Sequence, residues 1–334
     1  MAKPRGVTKS KDNEPSPFLT ALRFVALAQR EDGEPYQTHL ILSNGTAISY
    51  DGTLAAGAIT NEALEACPHT DLLIKALARA SGSVAITQTS ANKLTIKSDN
   101  DKFTAHVACL PREIMPTITP DNPIAPINNE FIAGLKQIAG VATENGTHVV
   151  TSSILVRRFS MVATDRNIMF EYWHGIDLPT FALPKAAAIA LVKCGKELQW
   201  FGFSQHSVTF YFTDNTWLRS QLYDGVWPDV DRILETPSNP WPVPPSFYDG
   251  VRAVAPFNEQ GWVTFKKGKL ASDAAEGEGA EYNVAGVPEG PVFNAKYLLM
   301  LEPLAKTVDF VALPGKAAFF GDKLRGVMMG VVAR

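Results

Sequence analysis

The residues of this sequence best suited to bind a metal ion are its six histidines and three cysteines. They occur singly: the chain has no HExxH motif, no two histidines four positions apart and no Cys-x-x-Cys pair, the spacings from which local sequence builds a zinc site. Local spacing therefore predicts no metal site. The odd number and wide separation of the cysteines also argue against a disulfide framework and favour a reducing compartment for Cys67, Cys109 and Cys194.

Glycine–lysine and serine–lysine pairs are the groups to consider for phosphate binding and nucleophilic catalysis. Ser90 and Lys93 have the Ser-x-x-Lys spacing, but they lie at the tip of an expected hairpin rather than at the start of a helix. The glycine–lysine pairs lack both the glycine five residues earlier and the following serine or threonine of a phosphate-binding loop. No nucleotide site is therefore predicted at Gly195, Gly268 or Gly315.

Paired carboxylates would supply general acid–base chemistry, and Asp229 and Asp231 are a candidate pair. Two residues apart in a segment that leaves a strand, they are more typical of a solvated edge. We therefore expect no catalytic residue and no cofactor, and a binding scaffold rather than an enzyme. The alternative that stays open is a hydrolase whose site the fold assembles from Asp165, Asp224 and Asp229.

These groups belong to a chain of 334 residues that is 46% hydrophobic and 19% charged, which is enough apolar material for the cores of two or three domains. The net charge of −3 indicates neither a nucleic-acid nor a membrane partner for the molecule as a whole. The longest apolar stretches are shorter than the roughly 18 residues of a membrane helix, and the first residues contain no signal-peptide core. We expect a soluble cytoplasmic protein.

Two proline-dense stretches divide the chain into three parts of similar length. Because proline has no amide proton and a fixed φ, these stretches cannot be central strands or helix interiors, and they are predicted to connect domains. Residues 1–15 are polar and contain four Lys or Arg, so we expect a mobile tail there. The prolines of the two stretches are Pro111, Pro116, Pro120, Pro123 and Pro126, then Pro237, Pro240, Pro242, Pro244 and Pro245.

Each part is expected to contain the same elements. An apolar helix opens each part and a second helix lies near its middle, although Pro303 should kink or shorten the last one. Elsewhere apolar and polar residues alternate, as at Leu94 and Ile96, with turn residues between the runs, which predicts antiparallel hairpins. The favoured fold class is α+β, three copies of a unit of two helices packed on antiparallel sheet. The six helical windows are 17–30, 70–82, 129–143, 184–197, 245–258 and 294–307.

The helical windows are basic in a chain that is acidic overall. They contain 11 Lys or Arg and five Asp or Glu, a net charge of +6, while the rest of the chain carries −9. These helices present a positive surface to DNA only if they all face the same way, and several of their cations lie in last turns, where the helix dipole favours them anyway. The candidate DNA-facing residues are Arg23, Arg30, Lys75, Arg79, Lys136, Lys185, Lys193, Lys196, Arg252, Lys296 and Lys306.

Three motifs in the middle part resemble the bacterial beta sliding clamp, the processivity subunit of DNA polymerase III. They are Met161-Val-Ala-Thr-Asp165, Phe181-Ala-Leu-Pro-Lys185 at the opening of a helix, and Leu218-Arg-Ser-Gln-Leu-Tyr-Asp-Gly225-Val-Trp-Pro-Asp229. The resemblance extends over most of the chain, through 18–28, 109–116 and 293–298. It implies three clamp domains, at 16–126, 127–236 and 237–334.

The resemblance implies a ring-shaped processivity factor without catalytic activity. Two chains would join head to tail, so that six similar units close a ring around duplex DNA, with helices lining the hole and sheets outside. The implied partners are double-stranded DNA without sequence preference, a replicative DNA polymerase and a separate ATP-dependent clamp loader. A structural or adaptor protein that keeps this architecture but never encircles DNA is the second alternative.

Sliding clamps also resemble one another in a groove between the middle and last domains, which takes short peptides from polymerase and loader. Two departures from the family pattern are expected to alter it here. Arg166 replaces the usual glycine and would narrow the groove, and the tail 327–334 lacks the familiar Met-Pro-Met-Arg ending. Carried over to this sequence, the groove residues are Thr164, Arg166, Met169, Pro228, Arg232, Ile233, Val327, Met329 and Val331.

Overall fold

The computed structural model describes residues 5–8, 16–80, 82–98, 102–143, 148–272, 278–313 and 315–331, with the backbone alone for 5–8. Its helices are short and amphipathic. In the first, Ser16 accepts a hydrogen bond from the Leu19 amide at 3.2 Å, Pro17 occupies the first turn, and one face with Phe18 and Leu22 is buried. The nine α-helices of the described residues are α1 (Pro17–Val25), α2 (Pro35–Thr38), α3 (Thr70–Arg79), α4 (Asn129–Ile138), α5 (Val149–Ser152), α6 (Lys185–Cys194), α7 (Asp231–Leu234), α8 (Phe247–Val254) and α9 (Ala295–Met300).

The strands of the described residues pair only in the antiparallel sense, as the hairpin pattern predicts. In chain order they are β1 (Arg5–Thr8), β2 (Ile41–Ser43), β3 (Thr46–Tyr50), β4 (Leu54–Ile59), β5 (Cys67–Pro68), β6 (Ser83–Ser90), β7 (Lys93–Ser98), β8 (Thr104–Leu110), β9 (Pro123–Pro126), β10 (Ser153–Val156), β11 (Ser160–Thr164), β12 (Ile168–Trp173), β13 (Phe181–Pro184), β14 (Leu198–Phe203), β15 (Ser207–Phe212), β16 (Trp217–Gln221), β17 (Trp241–Pro242), β18 (Trp262–Lys266), β19 (Lys269–Ala271), β20 (Glu281–Asn283), β21 (Val292–Asn294), β22 (Thr307–Leu313), β23 (Lys316–Gly321) and β24 (Leu324–Met329).

One of the two units into which the chain divides comprises Met1–Asn129 and Ala186–Leu222. It contains a five-stranded sheet in the order β1-β6-β7-β8-β5 and a seven-stranded sheet in the order β2-β3-β4-β16-β15-β14-β9. In the larger sheet Leu218 lies opposite Phe210 on one side and Ala56 on the other, and all three side chains are buried. Helix α1 packs on β4 and against α3.

The other unit comprises Glu130–Lys185 and Tyr223–Arg334. It contains an eight-stranded sheet in the order β13-β10-β11-β12-β24-β23-β22-β17 and a four-stranded sheet in the order β20-β19-β18-β21. Helix α4 approaches the large sheet so closely that a Cβ at Gly134 would overlap the ring of Tyr172. Helices α8 and α9 pack against each other, and α8 also packs on β19 and β20.

The order of elements repeats three times along the chain. Each copy has one strand, a main helix, four strands, a second main helix and three strands: β1 to β8 with α1 and α3, β9 to β16 with α4 and α6, and β17 to β24 with α8 and α9. The pairing repeats as well, since β1 pairs with β6, β9 with β14 and β17 with β22. The α+β prediction is therefore confirmed, while the three domain boundaries stay a prediction.

Both proline-dense stretches contribute an edge strand. Strand β9 lies at the end of the seven-stranded sheet and β17 at the end of the eight-stranded sheet, where a missing amide proton is tolerated. The expectation of a mobile tail is wrong for residues 5–8. They form β1 at the edge of the five-stranded sheet and pair with β6. The rest of that expected tail, residues 1–4 and 9–15, lies outside the described residues.

The main helices end earlier than the predicted windows. Helix α1 gives way to a 3-10 turn at Ala26–Ala28, α6 ends before Gly195, which has φ 64°, and α9 ends before Pro303. The predicted helical positions of three cations are therefore wrong, because Arg30, Lys196 and Lys306 lie beyond these ends. In the described part of the chain no helix combines the length and hydropathy needed to cross a membrane.

Candidate functional site

A cavity of about 300 Å³ lies in the second unit, on the face of the eight-stranded sheet against which α7 packs. Seven of the nine predicted groove residues line it. Of the other two, Arg232 is exposed on α7, and Val331 follows β24, where its amide donates to the Val292 carbonyl at 2.7 Å. The lining residues are Val150, Thr164, Arg166, Asn167, Ile168, Met169, Pro228, Ile233, Lys316, Val327 and Met329.

The floor of the cavity is apolar and rests on a buried cluster. Met169 of β12 lies opposite Thr164 of β11 on one side and Val327 of β24 on the other, so the three side chains share one face of the sheet. Met169 and Val327 belong to a buried cluster with Leu155, Val162, Val230 and Leu234, against which Ile233 packs. An apolar side chain that entered the cavity would therefore replace water over a surface that is already closed from below.

The turn between β11 and β12 forms one rim of the cavity, and its polar side chains are used to shape it. Thr164 Oγ1 donates to the Ile168 carbonyl at 2.7 Å and accepts from the Arg166 amide at 3.0 Å. Asp165 Oδ1 accepts from the amides of Asn167 and Ile168 at 2.9 and 3.1 Å. These bonds hold Arg166 in the left-handed region, at φ 81°.

Helix α9 ties down the same turn through Tyr297. The Tyr297 hydroxyl donates to Asp165 Oδ2 at 2.7 Å and accepts from Asn167 Nδ2 at 3.0 Å. Burial and the neighbouring Asp165 carboxylate raise the pKa of Tyr297 to about 12, so its hydroxyl stays protonated and keeps donating at neutral pH. The rim of the cavity is therefore positioned by a residue that does not line it.

The wall formed by α7 is held by ion pairs. Arg157 binds Asp231 at the start of α7 with two bonds, of 2.9 and 2.6 Å, and the Arg157 bond lowers the pKa of Asp231. Arg157 and Arg325 also bind Glu171, whose side chain is buried in the sheet, at 3.1 and 2.8 Å. This ion network links α7, β12 and β24, three of the elements that carry groove residues.

Four lining residues were not predicted from the sequence. Asn167 and Ile168 lie next to predicted residues in the chain. The turn that begins at Asp165 is a local signal that could have identified them. Val150 on α5 and Lys316 on β23 have no such signal, because only the tertiary structure brings them to the cavity.

The predicted DNA-facing cations fall into two groups. One group is exposed and has no hydrogen-bonding or ion-pair partner for its side chains within the described residues: Arg23, Arg30, Arg79, Lys136 and Lys193. The other group is held by a neighbour. It consists of Lys75 with Asp71, Lys185 with the Ala142 carbonyl, Lys196 with Asp214, Arg252 with Asp249 and Glu302, Lys306 with Asp322, and Lys296 over the ring of Tyr297.

The main helices remain basic when their observed bounds replace the predicted windows. Helices α1, α3, α4, α6, α8 and α9 contain eight Lys or Arg and three Asp or Glu. If these helices share one surface, their excess charge of +5 would attract a polyanion to that surface.

Two of the three carboxylates of the alternative hydrolase site have structural partners. Asp165 binds its own turn and Tyr297, and Asp229 Oδ1 accepts from the Asp231 amide at 3.2 Å, while Asp224 lies in an exposed loop. Within the described ranges, no three His, Cys, Asp or Glu side chains lie close enough together to hold a metal ion.

No family model and no curated protein sequence matches this chain. Solved structures do match it. DNA polymerase III subunit beta of Pseudomonas aeruginosa superposes with a TM-score of 0.79 at 17% identity, over 94% of this chain and 97% of that chain. The sliding clamp of Bacillus subtilis gives 0.79 at 15% identity, over 95% and 97%, and the beta clamp of Helicobacter pylori gives 0.79 at 15%, over 98% and 100%.

The chain has the fold of the bacterial beta sliding clamps. The resemblance inferred from the three motifs of the middle part is confirmed at the level of fold, although few residues are identical. In the sliding-clamp fold the lining residues of the cavity come from positions up to 179 apart, Val150 to Met329, and those on β12 and β24 meet because these two strands pair. That these residues bind a peptide stays a prediction.

Proposed function

We propose that this chain is a DNA sliding clamp, a cytoplasmic ring-shaped processivity factor that encircles duplex DNA and tethers a replicative polymerase without catalytic activity of its own. The observation that carries the proposal is the sliding-clamp fold, which extends over 94 to 98% of the chain at TM-scores of 0.79. Because one fold can serve several functions, strand edges and charge supply the further support.

The strand edges support a head-to-tail assembly of two chains. Equivalent strands join one repeat to the next in a shared sheet. Strand β4 of the first repeat pairs with β16 of the second, and β12 of the second repeat pairs with β24 of the third. By this rule β20 of the last repeat should pair with β8 in the first repeat of a second chain. Within the described residues β20 has β19 as its one neighbour, and most of β8 is paired only with β7. Exposed edges of this kind readily pair with another chain.

The charge of the helices supports weak, sequence-independent attraction to DNA. A unit-charge pair about 10 Å apart across water is worth only ~0.4 kcal/mol before salt screening. Attraction spread over many phosphates keeps the ring near the duplex without reading bases, and no single contact holds it in place. In this proposal retention comes from encirclement, and sliding is permitted by the weakness of each contact.

The groove supports recruitment of partner proteins. Its apolar floor and its exposed rim suit a short peptide that anchors one or two apolar side chains. In the proposed function the replicative polymerase and an ATP-dependent clamp loader present such peptides. Both would compete for one site.

The ring is tested with the chain alone. Sedimentation should give a mass near twice 36.3 kDa. The protein is then threaded onto linear duplex DNA, both DNA ends are blocked, and the complex is washed in about 1 M salt, where electrostatic binding is screened. Retention that disappears when one end is cut supports encirclement. A stable monomer, or loss from blocked DNA in the wash, contradicts the proposal and favours the non-encircling adaptor.

The basic helices are tested by charge reversal. In one variant Arg23, Lys136 and Lys193 become glutamate. The control reverses Lys93, Lys97 and Lys267, which are exposed cations outside the helices and change the net charge equally. We expect the first variant to thread onto DNA about 10-fold less at low salt, with the control within about 2-fold of wild type. Equal losses in both variants, at an unchanged mass of two chains, would contradict this role of the helices.

A further inference from the structure

The rim of the groove carries two cations, Arg166 and Lys316. Neither side chain has a hydrogen-bonding or ion-pair partner among the residues that the structure describes. Among the described residues, none that lines the cavity is acidic. The described cavity therefore combines an apolar floor with an uncompensated positive rim.

The two cations lie on either side of the end of β24. The Met329 amide donates to the Asn167 carbonyl at 2.7 Å, and Met329 lies opposite Lys316. Two strand spacings thus separate the backbone at Asn167 from that at Lys316, about 10 Å at 4.8 Å a spacing. An extended peptide covers this distance in about three residues. A bound segment can therefore place one side chain near each cation and apolar side chains between them.

The backbone at Arg166 is a second observation at the same rim. Its φ of 81° favours glycine, and a side chain there costs about 1 kcal/mol or more. Strain of this kind is retained mainly where the side chain serves a function. At this position the side chain of Arg166 places a guanidinium beside the apolar cavity.

We infer that the groove selects partner peptides in which acidic side chains flank one or two apolar anchors. The inference rests on the proposed function, because it specifies which peptides the proposed groove takes. Carboxylates bind the guanidinium of Arg166 and the ammonium of Lys316, while the anchors contact Met169 and Val327 in the floor. Peptides with neutral flanks bind the same floor more weakly, and peptides with basic flanks are repelled.

The test uses the full chain and short amidated peptides with a fluorophore. Each contains a leucine–isoleucine pair flanked on both sides by Glu, Gln or Lys. Each exposed ion pair is expected to contribute a factor of about 1.5 to 5 in affinity. With two such pairs, anisotropy should show the Glu peptide binding about 2- to 25-fold more tightly than the Gln peptide at low salt, a preference that shrinks in about 0.5 M salt.

Variants assign the preference to its residues. In Arg166→Gln with Lys316→Gln the Glu and Gln peptides should bind within about 2-fold of each other, while the Gln peptide keeps its wild-type affinity. Lys267→Gln removes an exposed cation outside the groove and should leave the preference unchanged. Arg166→Gly removes the guanidinium and relieves the backbone, so we expect it to fold and to weaken the preference for the Glu peptide.

The outcomes separate this inference from the proposed function. Equal affinity for the Glu and Gln peptides overturns the inference and leaves the groove as a peptide site. A preference that survives the double substitution overturns the assignment to Arg166 and Lys316. Absence of binding by all three peptides overturns both the inference and the groove, whereas the blocked-DNA experiment judges encirclement independently.

Discussion

Replacing Glu171 by glutamine tests the ion network that holds the groove wall. The Glu171 side chain is 3% exposed, and its carboxylate accepts from Ser160 Oγ at 2.7 Å, Arg157 Nη1 at 3.1 Å and Arg325 Nε at 2.8 Å. Glutamine keeps the shape of the side chain but removes the charge. It also turns a nitrogen that cannot accept a hydrogen bond toward one of the donors.

The expected loss follows from these contacts. Hydrogen bonds to charged groups contribute about 1.5 to 3 kcal/mol each, so the two arginine bonds account for about 3 to 6 kcal/mol. Part of this is recovered, because Arg157 and Arg325 are 29% and 22% exposed and both still face Asp231. We therefore expect Glu171→Gln to lower the free energy of unfolding by about 2 to 4 kcal/mol.

The assay is urea unfolding of the full chain, followed by circular dichroism, with the midpoint compared at an unchanged slope. Asp177→Asn is the matched control, because it removes the charge from an ion pair with Arg158 whose side chains are 64% and 69% exposed. Such an exposed pair contributes little to the free energy of unfolding. If the two variants lose the same stability to within about 0.5 kcal/mol, the reasoning from burial and bonding is refuted.

Three further changes have defined outcomes in the same unfolding assay. Burial lowers the pKa of His174 below its usual 6.5, so the folded state favours the neutral ring. The contribution of His174 to the free energy of unfolding should therefore be fully present above pH 6.5 and be lost as the pH falls below it, and this loss should be smaller in His174→Gln. Gly57→Ala should cost about 1 to 3 kcal/mol, because the new Cβ overlaps the indole of Trp217 and that ring must move. Arg166→Gly should raise the free energy of unfolding by up to about 1 kcal/mol, because glycine adopts a φ of 81° without strain; a loss of stability would contradict that account.

The groove shows how far local signals reach. The motif that ends at Thr164 and Asp165 identifies the first rim, because the side chains of a turn bond to their own backbone within a few residues. The opposite rim at Lys316 depends on the local β23–β24 hairpin and on the pairing of β24 with β12, a contact across more than a hundred residues that no short pattern encodes. Tyr297 was not predicted for the same reason, since α9 contacts Asp165 only in the folded chain.

Period-two and helical spacing, proline placement and turn residues determined the antiparallel strands, the six main helices and their three-fold order, because each of these depends on neighbours within about ten residues. The tertiary structure decided that residues 5–8 join a sheet and which cations are neutralised. Lys193 and Lys196 are three residues apart on the chain, yet among the described residues only Lys196 meets a carboxylate, that of Asp214. Charge compensation is a property of distance in space, and sequence order does not contain that distance until the strands have paired.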